Sequence, residues 1–269
     1  FYNDLRLLNR PGPELQRVWG NDNAALYALP SGTGAGPGVW CHGLLPDYHA
    51  FRGSYGGYAF PLHDRRPATA GTNVSQELLD GLSAAYGAPV APEEAFNAIL
   101  CLLSATSYTL RFAEDLEDVF PHVPFPADHA AFQESARIGA EIRAVQTFAR
   151  PPAGSFANPA FVRLDTAPTG QLAAGEPDGA TLMLCENGSA SVSGLPAALW
   201  GFEVSGYPVL QRWLEGRQGQ TVDLALFDEF RDLCGRLAEL VDLYGQADTV
   251  LQNALAAPLT RDVLGLVAE

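Results

Sequence analysis

Pro92-Glu93-Glu94-Ala95-Phe96-Asn97-Ala98-Ile99-Leu100-Cys101-Leu102-Leu103-Ser104 reads as a helix from its first residue. Proline at the first helical position loses no hydrogen bond, because that N–H has no intrahelical acceptor. Glu93 and Glu94 place negative charge beside the unpaired N–H groups of the first turn. Phe96, Ile99, Leu100 and Leu103 then recur at spacings of three and four, an apolar stripe that demands a partner. A second helix is predicted over residues 108–119, ending where Pro121 forbids continuation, and Pro124 and Pro126 hold the next stretch extended. Asp128 is the predicted N-cap of a third helix, which carries Phe132, Ala136, Gly139, Ile142 and Val145 on one face and stops at Pro151-Pro152.

On the N-terminal side of this helical segment, residues 1–67 are rich in Gly, Pro and aromatics. Short strand-like runs, Leu26-Tyr27-Ala28-Leu29, Val39-Trp40-Cys41 and Tyr58-Ala59-Phe60, stand between turn signals. On the C-terminal side strands are predicted at 161–164, 181–186, 189–193 and 200–204, with Asn187-Gly188 as the hairpin turn. Residues 208–215 form a short helix. A long one follows over 224–255, capped by Asp223, with the stripe Phe227, Phe230, Cys234, Leu237, Val241 and Tyr244. The expected fold is α+β: twisted β regions, a three-helix segment, a small antiparallel sheet and a C-terminal helical part. Its parts are a β-rich 1–91, a helical 92–152, a small sheet at 153–205 and helices at 206–269, together one composite domain.

The 269 residues can bury a substantial core without disulfides. Cys41, Cys101, Cys185 and Cys234 lie far apart with no C-x-x-C pair, a spacing that suits neither a zinc cluster nor a disulfide framework. No run approaches the length of a membrane span and the N-terminus has no signal-peptide pattern, so a cytoplasmic protein with no membrane partner is expected. The chain opens on Phe1, and its one methionine is Met183. We therefore expect it to be part of a longer protein. All 16 basic residues are arginine, and the net charge is −15. That charge is distributed unevenly: residues 1–66 carry +1, residues 67–150 carry −7 and residues 151–269 carry −9. Phosphate contact is favoured in the first third alone.

Several motifs point to catalysis or cofactors and fail on context. Ser31-Gly32-Thr33-Gly34-Ala35-Gly36-Pro37-Gly38 is glycine-dense, but it leads into an extended run rather than a helix, so no cofactor loop is assigned. Asn158-Pro159-Ala160-Phe161 lacks the second proline of an amino-methyltransferase motif and reads as a turn before a strand. Residues 188–194 do not spell a nucleophile elbow. His42, His49, His63, His122 and His129 show no ligand spacing, and Glu114-Asp115-Leu116-Glu117-Asp118 is spread around a solvated helical face. No catalytic, cofactor-binding or metal-binding residue is therefore assigned. The stretch holding Arg52, Tyr55, Tyr58, Arg65 and Arg66 differs, since guanidinium groups and aromatics alternate there without being swamped by acids. Such a mixture suits base-edge hydrogen bonding and phosphate contact.

Residues 97–116, followed by Phe120-Pro121-His122-Val123-Pro124-Phe125-Pro126, resemble the C-terminal specificity domain of type ISP and related single-chain restriction-modification enzymes. That family shows Y-x-Y-A-V-L-H-S-P-x-Y-R-x-R-Y-A-x-x-L, then F-P-R-I-P-L-P, then a helix opening with an acid. Gly206-Tyr207-Pro208-Val209-Leu210-Gln211-Arg212-Trp213-Leu214 and Gly216-Arg217-Gln218-Gly219 resemble its later G-Y-x-V-L-x-x-W-L signature region. Tyr58-Ala59-Phe60-Pro61-Leu62 and Leu7-Leu8-Asn9-Arg10-Pro11 add weaker matches.

The resemblance implies recognition of double-stranded DNA for an adenine-N6 methyltransferase. S-adenosylmethionine would then be bound by an upstream methyltransferase domain, and a nuclease would be linked to it in a bacterial cytoplasm. His122 stands where the family usually has arginine, and on that ground it joins the expected DNA contacts. Leu103-Ser104-Ala105 replaces L-H-S and lysine is absent, both of which reduce positive charge. The competing reading is an acidic protein-binding or DNA-mimic module with the same fold.

Overall fold

The structure, a computed structural model, describes residues 19–20, 22–46, 50–51, 56–66, 71–153, 162–163 and 170–266. Three short strands form the first sheet: β1 (Ala25–Ala28), β2 (Val39–His42) and β3 (Tyr58–Pro61), in the order β2-β1-β3 and all antiparallel. The central β1 is buried along its whole length, as a strand paired on both edges and covered on both faces must be.

The helical body is α1 (Gln76–Tyr86), α2 (Pro92–Ser104), α3 (Thr106–Arg111) and α4 (His129–Gln146). The first of these lies inside the region expected to be β-rich. Ser75 caps it by accepting from the Leu78 N–H, and Gly87 closes it in the left-handed conformation. The single helix expected over 108–119 is instead α3 and a 3-10 turn at Asp115–Glu117. The break has a tertiary partner, because the carbonyls of Leu116 and Glu117 accept the Gly32 N–H from the β1–β2 loop.

Two helices cross at closest range where Gly139 of α4 meets Asn97 of α2. A Cβ at Gly139 would overlap the Asn97 carbonyl oxygen. Asp128 caps α4 as expected, and its predicted apolar face is buried.

The second sheet is β4 (Val162–Arg163), β5 (Thr181–Met183) and β6 (Ser191–Ser193), in the order β4-β6-β5. A turn at Asn187-Gly188 joins β5 to β6, with the Gly188 N–H donating to the Cys185 carbonyl. The strand expected over 200–204 is shorter than predicted, because Trp200 ends a one-turn helix, α5 (Ala197–Trp200). After it, β7 (Glu203–Val204) and β8 (Tyr207–Pro208) pair through a two-residue turn with positive φ at both Ser205 and Gly206.

The glycine run of the β1–β2 loop crosses this hairpin. Gly34 N–H donates to Ser205 Oγ at 3.2 Å, Ser205 N–H to the Pro37 carbonyl at 3.0 Å and Gly206 N–H to the Ala35 carbonyl at 2.7 Å. Two parts distant in sequence are thereby joined.

Helix α6 (Val209–Glu215) leads to α7 (Leu224–Ala256), which is capped by Asp223. At 33 residues α7 is about 50 Å long, and it packs on α4, α2, α3 and α5 as the spine of the molecule. Its Asp248 accepts from Thr106 Oγ1 at 2.9 Å and from the Ser107 N–H at 2.8 Å, supplying the cap that Ala105 cannot give α3. No helix among the described residues is long and apolar enough to cross a membrane.

Candidate nucleic-acid interface

Tyr27, in the middle of β1, meets residues on either side of the segment that carries Arg52 and Tyr55. Its buried ring meets Phe51 edge-on at 4.7 Å and His42 edge-on at 5.9 Å. Gly57 lies so close that a Cβ there would overlap the ring. Phe51 and Gly57, which stand on either side of residues 52–55 in sequence, thus both meet one side chain of the central strand. Arg52 and Tyr55 themselves lie outside the described residues, as do His49 and the Asn158–Phe161 motif.

Arg65 and Arg66 follow the C-terminal end of β3, and each meets a carboxylate. Arg65 pairs with Asp22 at 2.5 Å, with both side chains well exposed (46% and 67%). The hydrogen bond from Arg65 holds the Asp22 carboxyl below the usual carboxylate range. Arg66 bonds Asp64 through Nε at 2.9 Å and Nη2 at 2.6 Å; Asp64 is buried, while Arg66 stays 47% exposed. The hydrogen bond from Arg66 likewise lowers the Asp64 pKa. A buried carboxylate gripping a half-exposed guanidinium fixes the direction in which that guanidinium is presented.

Tyr58 is at the opposite end of β3, roughly 10 Å away along the strand. It is 57% exposed, and its ring lies 6.4 Å from Phe120, which also meets Phe60 at 5.6 Å. His122 follows two residues later. Its N–H donates to Tyr108 Oη at 2.9 Å, and the Tyr108 hydroxyl donates to the His122 carbonyl at 2.7 Å. The structure thus brings Tyr58 and His122 to the Phe120 segment and places Arg65 and Arg66 apart from them. Asp115 shares with His122 the lining of a groove of about 450 Å³, so an acid stands beside that second group.

Sequence reasoning passed over Arg111, the last residue of α3. Among the arginines whose side chains are described, Arg111 and Arg261 have no carboxylate partner. Arg111 lies 5.8 Å from the centre of the Phe112 ring. Its place at a helix end within an acid-rich run was the available signal.

Cys41, Cys101 and Cys234 are buried thiols whose pKa values desolvation pushes up to about 12. Burial draws the His42 pKa down to about 4, so the ring is neutral at pH 7. Among the described residues no group of three His, Cys, Asp or Glu could hold a metal ion. In the glycine run, the N–H groups of Gly32, Gly34 and Gly38 donate to Leu116, Ser205 and Leu103.

The family profile described as Type ISP C-terminal specificity domain matches residues 1–240. No curated protein matches the sequence. Among solved structures, the chain is similar to the ATP-dependent Type ISP restriction-modification enzyme LlaBIII bound to DNA, with a TM-score of 0.65 and 16% identity over 96% of this chain and 18% of that one. A nuclease-deletion mutant of the Type ISP enzyme LlaGI with a DNA substrate mimic gives a TM-score of 0.54 at 14% identity, over 89% of this chain and 18% of that one. A DrdV–DNA complex gives 0.57 at 16% identity, over 88% of this chain and 24% of that one. At these identities the likeness is one of fold. The chain spans about a fifth of the length of the enzymes it resembles.

Proposed function

The chain belongs to the Type ISP C-terminal specificity domain family, and from that premise we propose that it reads double-stranded DNA for a restriction-modification enzyme that methylates adenine. The family match over residues 1–240 carries this reading. The neighbours of like fold are DNA complexes, which supports duplex DNA as the partner. In this reading the chain recognises the target, while methyl transfer and cleavage belong to other parts of a longer polypeptide. S-adenosylmethionine is bound by a methyltransferase part upstream, and the enzyme works in a bacterial cytoplasm.

Arg52 and Tyr55, with Arg65 and Arg66 beyond β3, supply the principal contacts. Tyr58 and His122 form a second flank. Base readout needs side chains held on a rigid scaffold, and the Tyr27 anchor and the Asp64–Arg66 pair provide that. The net charge of −15 makes a discriminating test possible. We expect the chain to bind a mixed-sequence duplex of about 30 base pairs by fluorescence anisotropy, with log K falling steeply and linearly with log salt. Absence of binding at about 50 mM salt would set the reading aside.

A further inference from the structure

Helix α4 ends in a complete Schellman motif, with the Ala149 N–H donating to the Ala144 carbonyl at 3.0 Å and the Phe148 N–H to the Val145 carbonyl at 3.3 Å. The residue held left-handed in such a motif is usually glycine. Here it is Phe148, at φ 59° and 63% exposed. A bulky residue in that conformation costs free energy that glycine would spare, so the ring must be held by its surroundings. The buried guanidinium of Arg236 lies 4.1 Å from the ring centre while donating to the Val145 and Arg150 carbonyls at 3.0 and 2.9 Å. One face of the aromatic is thus fixed on a cation, and the ring stands out into solvent.

Phe148 forms one side of a cavity of about 460 Å³ between the end of β2 and the end of α4, lined also by Trp40, His42, Leu44, Pro46 and Thr147. None of the described residues lining it is acidic, although the chain holds 31 acids. Three aromatic rings, Trp40, His42 and Phe148, stand in its wall beside the aliphatic Leu44, Leu45 and Pro46, and one of those rings is backed by a guanidinium. That pairing favours a polarisable, electron-rich planar ligand. His42, neutral at pH 7, adds a polar edge. Ala50 lines the same cavity, and the next residue, Phe51, is the anchor that precedes Arg52.

We propose that this cavity receives a nucleobase extruded from bound DNA, with Phe148 as the stacking platform and Arg236 as the residue that positions it. The inference rests on the DNA-reading function and assigns to it a second kind of contact, with an unstacked base.

The test compares the 269-residue chain on two 25-base-pair duplexes of equal sequence, one fully paired and one with a single bulged adenine, which costs less to extrude. The wild type is expected to prefer the bulged duplex by roughly tenfold, the scale of one base–aromatic stack. Phe148→Gly, which suits the left-handed position and should keep the fold, is expected to bring the ratio of the two affinities to within about twofold. Phe148→Tyr keeps a ring and is expected to keep the preference. A wild-type chain that binds both duplexes equally, or a preference that survives Phe148→Gly, would overturn the inference and leave DNA reading intact. Binding to neither duplex would overturn both.

Discussion

The helical body and the rim of the first sheet use charge in different ways. In the body, arginines are committed between elements: Arg143 pairs with Glu93 across α4 and α2, Arg150 bridges Glu141 and Glu239, and the buried Arg236 caps the end of α4 while holding Asp232. At the rim, the Arg65–Asp22 pair is exposed on both sides and Arg66 is exposed on one. A pair exposed on both sides contributes little to stability, so a phosphate can replace Asp22 on Arg65 at small cost, while Arg66 offers its exposed edge with Asp64 still bound. Breaking a buried pair strands a charge. The comparison teaches that arginine count alone does not locate a nucleic-acid surface; what matters is how firmly each arginine is already held.

Substitutions that remove the slack-free contacts of the body should have the largest effects. Gly139→Val forces a side chain into the Asn97 backbone and is expected to cost about 3 kcal/mol or more, read by chemical denaturation. A mild effect would show that α2 and α4 can separate without loss. Next is Gln146, whose Oε1 accepts the Cys41 N–H of edge strand β2 at 2.8 Å and whose Nε2 donates to Tyr244 Oη at 2.9 Å. Gln146→Leu leaves two buried polar groups unpaired, and a loss of about 3 kcal/mol is expected.

A smaller effect links the two regions through pH. Burial lowers the His42 pKa to about 4, below the unfolded value of about 6.5. The unfolded chain therefore takes up a proton first as pH falls. Stability from this residue is full above pH ~6.5 and is lost toward pH ~4, by about 2 kcal/mol between pH 7 and 5. His42→Gln should flatten that limb in melts across the range, and an unchanged limb would assign the acid sensitivity elsewhere.

How much of this was legible in the sequence follows from the range of the contacts involved. The caps and stripes of α2, α4 and α7 lie within a few residues of one another, and the reading placed those helices correctly. Helix α1 carried equally local signals in Ser75 and Gly87, but the reading assigned everything up to residue 91 to the β-rich part. The break after α3 depends on Gly32, and the roles of Gln146 and Arg236 depend on partners 105 and 91 residues away. No periodicity encodes such pairs. For the proposed site, alternating arginine and aromatic residues are a signal that sequence carries, while the separation of Tyr58 from Arg65 and the left-handed Phe148 required coordinates.

The smallest expected change concerns Asp22. Asp22→Asn releases Arg65 from an exposed pair, so the melting midpoint should stay within error while duplex affinity rises a few-fold at low salt. A drop in affinity would mean that the carboxylate orients Arg65 for binding.

The central claim, that the N-terminal rim holds the phosphate, is tested most directly by replacing Arg52, Arg65 and Arg66 together with alanine and measuring duplex affinity against salt. The account predicts that affinity falls at least tenfold and that the slope of log K against log salt becomes shallower by about 2 to 3, as expected when three phosphate contacts are lost. Unchanged affinity and an unchanged slope would contradict it, and would move the interface to another face of the molecule.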